Sequence, residues 1–130
     1  MACGDERAYR KGAVPTRLII ADDDPVFLRM LRRLIEVEAH LVLVGEAADG
    51  DEAIRLALES RPDAVLLDLQ MPRKDGLAAA LAIRDALPQT SILIHTAAPS
   101  HASVRRVRAE GFDIRGKADL GATMAALSEA

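Results

Sequence analysis

Short apolar runs alternate along this chain with stretches of helical periodicity, and few folds accommodate that alternation. The runs are Arg17–Ala21, Leu41–Glu46, Ala64–Asp68, Ser91–Thr96 and Phe112–Lys117. Repeated strand-then-helix units of this kind predict an α/β fold: a doubly wound five-stranded parallel sheet with helices on both faces. The first four runs are apolar nearly throughout their centres, as strands are when helices cover both sides of the sheet. The fifth alternates Phe112 and Ile114 with Asp113, Arg115 and Lys117, which suits a half-exposed edge strand.

The intervening helices read from spacing. Phe27, Leu28, Leu31, Leu34 and Ile35 form one stripe, with Arg29, Arg32, Arg33 and Glu36 on the other side. Asp24 followed by Pro25 starts this helix: the carboxylate accepts from free backbone N–H groups, and proline at the first position loses no donor the helix needs. Further helices are expected over about 51–60, stopped by Pro62, over 77–87 before Pro88, and over 100–110 and 119–128.

A chain of 130 residues that is 50% apolar can enclose one core. Residues 17–130 are expected to form that domain, behind a flexible N-terminal tail over 1–16. A formal net charge of −3 gives no footprint for nucleic acid or an anionic membrane. Cys3 is the only cysteine, so neither a disulfide framework nor a cysteine-ligated metal site forms within one chain. No run is long enough to span a bilayer, and the first sixteen residues lack the apolar centre of a secretion signal. A cytoplasmic location is expected.

In an open parallel sheet the strand carboxyl ends share one edge, where ligands bind. Here those ends carry Asp22 and Asp23, Asp68, Thr96 and Lys117. Clustered carboxylates repel unless a pKa rises or a cation intervenes. Magnesium suits them: it takes oxygen ligands in octahedral geometry and keeps waters that a phosphoryl oxygen can replace. Asp68 would then serve as a nucleophile forming an aspartyl phosphate. Thr96 and Lys117 would hold the arriving oxygens. Each residue also has an ordinary role, as helix cap, turn former, loop hydroxyl or solvated lysine. Lys117 carries more information because the chain has only three lysines.

The sequence resembles the receiver domain of bacterial two-component response regulators over about residues 17–128. The resemblance rests on Leu18-Ile19-Ile20-Ala21-Asp22-Asp23-Asp24-Pro25, on Asp68-Leu69-Gln70-Met71-Pro72-Arg73-Lys74-Asp75-Gly76, on Ile94-His95-Thr96-Ala97 and on Lys117. It implies a flavodoxin-like strand order of 2-1-3-4-5. It also implies Asp68 as phosphoacceptor, Asp22 and Asp23 as organisers of Mg2+ with the backbone carbonyl of Gln70, and Thr96 and Lys117 as phosphate sensors. The implied partner is a sensor histidine kinase, and the implied output is repacking of the fourth helix, fifth strand and fifth helix. Such a domain assists only its own phosphorylation and dephosphorylation.

Val44-Gly45-Glu46-Ala47-Ala48-Asp49-Gly50 is similar to receivers that precede a helix-turn-helix DNA-binding domain. The chain stops soon after its fifth helix, which fits a stand-alone receiver or one cut from a longer transcriptional regulator. No direct nucleic-acid or membrane binding is expected of the domain itself. A homodimer is a family-based expectation to which Arg105, Arg106 and Arg108 could contribute, although charge runs on helices usually face water.

Three features depart from the family pattern. Ile114 stands where an aromatic residue is frequent, the segment over 111–117 is about one residue short, and Ala118 replaces a common proline. The first two keep open a second reading, a receiver-like interaction module that signals without phosphorylation. A third reading is a hydrolase of the haloacid dehalogenase type. It is disfavoured by Gln70, which lacks the acid/base capacity such enzymes place two residues after their nucleophile.

Overall fold

A computed structural model describes residues 14–129. Most of the expected tail, with Cys3, lies outside the described residues. Strands β1 (Thr16–Ala21), β2 (Leu41–Ala47), β3 (Ala64–Asp68), β4 (Ser91–Thr96) and β5 (Asp113–Gly116) alternate with α1 (Pro25–Glu36), α2 (Gly50–Ser60), α3 (Gly76–Ala86), α4 (His101–Ala109) and α5 (Leu120–Ser128). All neighbouring strands pair in parallel, in the order β2-β1-β3-β4-β5. The expected architecture is therefore the observed one.

Two differences of detail have local causes. β1 begins at Thr16, inside the segment expected as tail, because the Thr16 amide donates to the His40 carbonyl at 2.8 Å. β5 is shorter than the expected Phe112–Lys117: the Phe112 amide still bonds back to Val107, and the Lys117 amide bonds the Thr96 carbonyl beyond the strand.

Side-chain alternation sorts the core into two layers. Ile19, Ala21, Val65, Leu67 and Ile94 pack with Ala53, Ala57, Ala80, Ile83 and Val107 of α2, α3 and α4. Leu18, Ile20, Leu66 and Leu93 pack with Leu31 and Ile35 of α1 and Leu127 of α5. Every residue of β3 is buried, as expected of a central parallel strand.

Helix starts follow local chemistry. Asp24 accepts from the Val26 amide at 3.0 Å with Pro25 at the first position, as its sequence predicts. Asp49, Asp75 and Asp119 cap α2, α3 and α5, and Ser100 with Ser103 forms a capping box on α4. Arg61, in a left-handed conformation at φ 47°, ends α2 ahead of Pro62.

Candidate functional site

The alternation that builds the core also decides what meets at the carboxyl edge. Asp22, Asp68 and His95 each lie two residues beyond a side chain of the α1/α5 layer, Ile20, Leu66 and Leu93. All three therefore point to that face. Register closes the group: Ala21 pairs with Leu67 one step before the two aspartates, and Asp68 pairs directly with His95.

Asp22, Asp68 and His95 are all buried. Lys117, in the turn after β5, reaches back over them, its Nζ 2.6 Å from Asp22 Oδ2 and 3.3 Å from Asp68 Oδ2. The same ammonium lies 4.6 Å from the centre of the Phe27 ring. Phe27 meets the His95 ring edge to face at 5.4 Å.

The two carboxyls are pushed in opposite directions. Burial raises Asp68, and the charge of Asp22 raises it further, against the pull of Lys117 and His95. Burial also acts to raise Asp22, but His95, Lys117 and the Asp24 amide outweigh it and hold that carboxyl below the usual range. Burial opposes the charge on Lys117, yet its hydrogen bond to Asp22 and the charge of Asp68 keep it above its ordinary value. The site therefore holds a firmly charged ammonium between an acid that ionises easily and one that ionises reluctantly.

The remaining expected residues fall around this pair. Asp23 is exposed and, with Gln70, lines a cleft of about 730 Å³ bordered by Met71, Asp75, Ser103 and Arg106. Thr96 is buried at the end of β4, and its carbonyl accepts from the Lys117 amide at 2.8 Å. The turn that carries Gln70 is braced twice. Arg73, itself at φ +65°, pairs with Asp49 at 2.9 Å. The Gly76 amide donates to the Leu69 carbonyl at 2.8 Å, and a Cβ on Gly76 would come within 2.2 Å of the Asp68 carbonyl oxygen. Glycine is required there because β3 and the start of α3 touch backbone to backbone.

The sequence alone assigns no site role to His95 or Phe27, and offers Arg106 only as a homodimer contact or part of a solvated basic face. His95 had a readable signal: it immediately precedes Thr96, and strand alternation turns it to the face opposite that of its neighbour. Phe27 looked like an ordinary member of the α1 stripe. Arg106 looked like part of a solvated basic face, and it is exposed, but it also borders the cleft.

The family model described as "Response regulator receiver domain" matches residues 18–114. The chain belongs to the response regulator receiver family. This receiver is 40% identical over 82 residues to protein-glutamate methylesterase/protein-glutamine glutaminase 4 of Myxococcus xanthus, across 63% of this chain and 23% of that one. It is 42% identical over 80 residues to YxjL, an uncharacterized transcriptional regulatory protein of Bacillus subtilis, across 62% of this chain and 37% of that one. The receiver thus spans well under half the length of these curated relatives. A crystal structure of a LuxR-family two-component response regulator from Aurantimonas is similar at 32% identity, with a TM-score of 0.79, over 88% of this chain and 86% of that one. Membership places the receiver in two-component signalling. Among the described residues no helix is long and apolar enough to cross a membrane.

The donor chemistry fits the magnesium that receivers typically bind. Carboxylate oxygens of Asp22 and Asp68 meet there beside the His95 ring, and the charge of Asp22 that, after burial, raises Asp68 is of the kind a cation relieves. Asp23 and Gln70 at the cleft leave the solvent side open for retained waters.

Proposed function

We propose that this receiver, formed by residues 17–130, takes a phosphoryl group from a sensor histidine kinase in the cytoplasm onto the carboxylate of Asp68. The observation that carries the reading is the grouping of Asp68 with Asp22 and Lys117, a buried carboxylate at a strand end with an ammonium 3.3 Å away. An Asp68 oxygen attacks phosphorus, the P–N bond of the donor phosphohistidine breaks, and the imidazole leaves with that electron pair and takes up a proton. Asp22, Asp23, Asp68 and the Gln70 carbonyl would hold magnesium, which when bound would supply charge neutralisation for the incoming oxygens. Lys117 exchanges its hold on the two aspartates for a phosphoryl oxygen, and Thr96 donates its hydroxyl to another.

Transmission runs through the elements that carry those two residues. Thr96 ends β4 and leads into α4, and Lys117 joins β5 to α5, so a shift of either repacks the α4–β5–α5 surface. Ile114 is already buried in the layer that holds Val104 and Val107 of α4. In this receiver the usual aromatic step is therefore replaced by repacking of an aliphatic side chain. A kinase, and a second copy of the receiver in a homodimer, are the partners this surface serves.

Incubation with magnesium and a small phosphodonor, followed by intact-mass measurement, tests the reading. One acid-stable, base-labile adduct with the mass of a phosphoryl group is expected, dependent on magnesium and lost in Asp68→Asn. No adduct would sink it and leave the phosphorylation-independent module standing, and an adduct that survives Asp68→Asn would sink it as well.

A further inference from the structure

His95 is 1% exposed, and among the described residues neither of its ring nitrogens has a hydrogen-bond partner. A buried polar group left in that condition calls for a physical reason, an ion being one. Nε2 faces Asp22 Oδ2 at 3.4 Å. Donor atoms of Asp22, Asp68 and His95 all lie within 4.8 Å of one another. Four-coordinate zinc with bonds of about 2.1 Å spaces adjacent donors about 3.4 Å apart, so the imidazole and Asp22 already stand at the edge length of such a polyhedron. The imidazole packs edge to face with the Phe27 ring, centroids 5.4 Å apart.

We propose that His95 joins Asp22 and Asp68 in a cation centre of one nitrogen and two oxygen donors, which shares both aspartates with the magnesium reading and takes a zinc-class ion in exchange for the Lys117 ammonium. The donor set separates this centre from the magnesium reading, which uses oxygen alone and has no role for His95. Imidazole suits zinc and its neighbours, whereas magnesium keeps to oxygen and retains its waters. Lys117 now occupies the cationic position, 2.6 Å from Asp22 Oδ2 and 3.3 Å from Asp68 Oδ2. Its side chain is 15% exposed and follows the last strand, so it can withdraw to solvent as the ion enters. Zinc held here takes Asp22 and Asp68, two of the ligands magnesium would use, and so competes with magnesium at the acceptor, a consequence that rests on the phosphoacceptor reading. The centre would hold the receiver unphosphorylated.

Competition of the full chain against a chromophoric chelator for zinc measures the affinity directly. His95→Leu should weaken binding by about tenfold or more, the scale of losing a metal-site contact. Lys117→Met should strengthen it, because the competing cation is gone. Cobalt(II) should give the intense visible bands of four-coordination in the wild-type protein and not in His95→Leu. Circular dichroism checks folding, and His95→Gln replaces the leucine variant if the latter fails to fold. Equal zinc affinity in wild-type and His95 variants, with the same cobalt spectrum, overturns the proposal and assigns binding elsewhere, since Cys3, His40 and His101 remain in every variant. In parallel, zinc should slow phosphodonor-driven adduct formation several-fold more in wild type than in the His95 variant. If the wild type forms no adduct with magnesium alone, the phosphoacceptor reading fails, while the chelator competition still decides this one.

Discussion

Asp68 combines burial, a neighbouring aspartate and an ammonium, and each has a separate experimental handle. Residue identity and strand position make Asp22, Asp68 and Lys117 legible in the sequence, because an acid or a lysine at a strand end has a forced location. His95 was not legible in the same way: histidine is common inside proteins, and only the register that pairs it with Asp68 makes its position chemical. Gly76 gives a sharp residue-scale prediction. A methyl group there would press on the Asp68 carbonyl, so Gly76→Ala should destabilise by about 1–3 kcal/mol, the usual cost of overpacking. Urea unfolding measures it, and an unchanged midpoint would show that α3 can move away. Asp49 gives a pH prediction. Its carboxyl is held below the ordinary value of 3.8, first by the Glu52 amide and then by Arg73. A lowered pKa stabilises the fold above the unfolded value and loses that contribution as pH falls through the folded one. Asp49→Asn keeps the helix cap but drops the charge, so its melting temperature should lie a few degrees below wild type at neutral pH. The two should converge as pH falls below about 3.8.

At the scale of elements, the turn after β3 and helix α4 carry the account from chemistry to output. The turn is pinned by Arg73 on Asp49 and by the close approach at Gly76, so it presents the Gln70 carbonyl from a fixed frame. α4 is tied differently. It has nine residues, buries only Val107 fully, and begins with the Ser100–Ser103 capping box. Ser100→Ala should cost about 1 kcal/mol, as loss of a cap does. Amide exchange should rise in α4 while β1 and β3 stay protected. Uniform change across the sheet would mean that α4 is not a separable unit. The sequence supports α4 only weakly, since its stripe reduces to Val104 and Val107 among arginines and small residues. The sequence overextends β5 by a residue at each end because the alternation of Phe112 and Ile114 continues past the hydrogen-bonded ladder.

At the scale of the molecule, a parallel sheet brings residues separated by as much as 95 positions, from Asp22 to Lys117, into one contact. Most of this topology follows from the apolar runs alone, since wholly buried runs demand helices on both faces and connections of that length demand parallel strands. The order of the strands did not follow from periodicity and came through the family resemblance. The proposed acceptor is a single group, the Asp68 carboxylate. Its identity is open to direct mapping. After incubation with magnesium and a small phosphodonor, borohydride reduction converts an aspartyl phosphate to a stable alcohol that peptide mass analysis locates. The account predicts one reduced position, residue 68, absent when the phosphodonor is omitted; reduction at Asp22, at Asp23 or nowhere would contradict it.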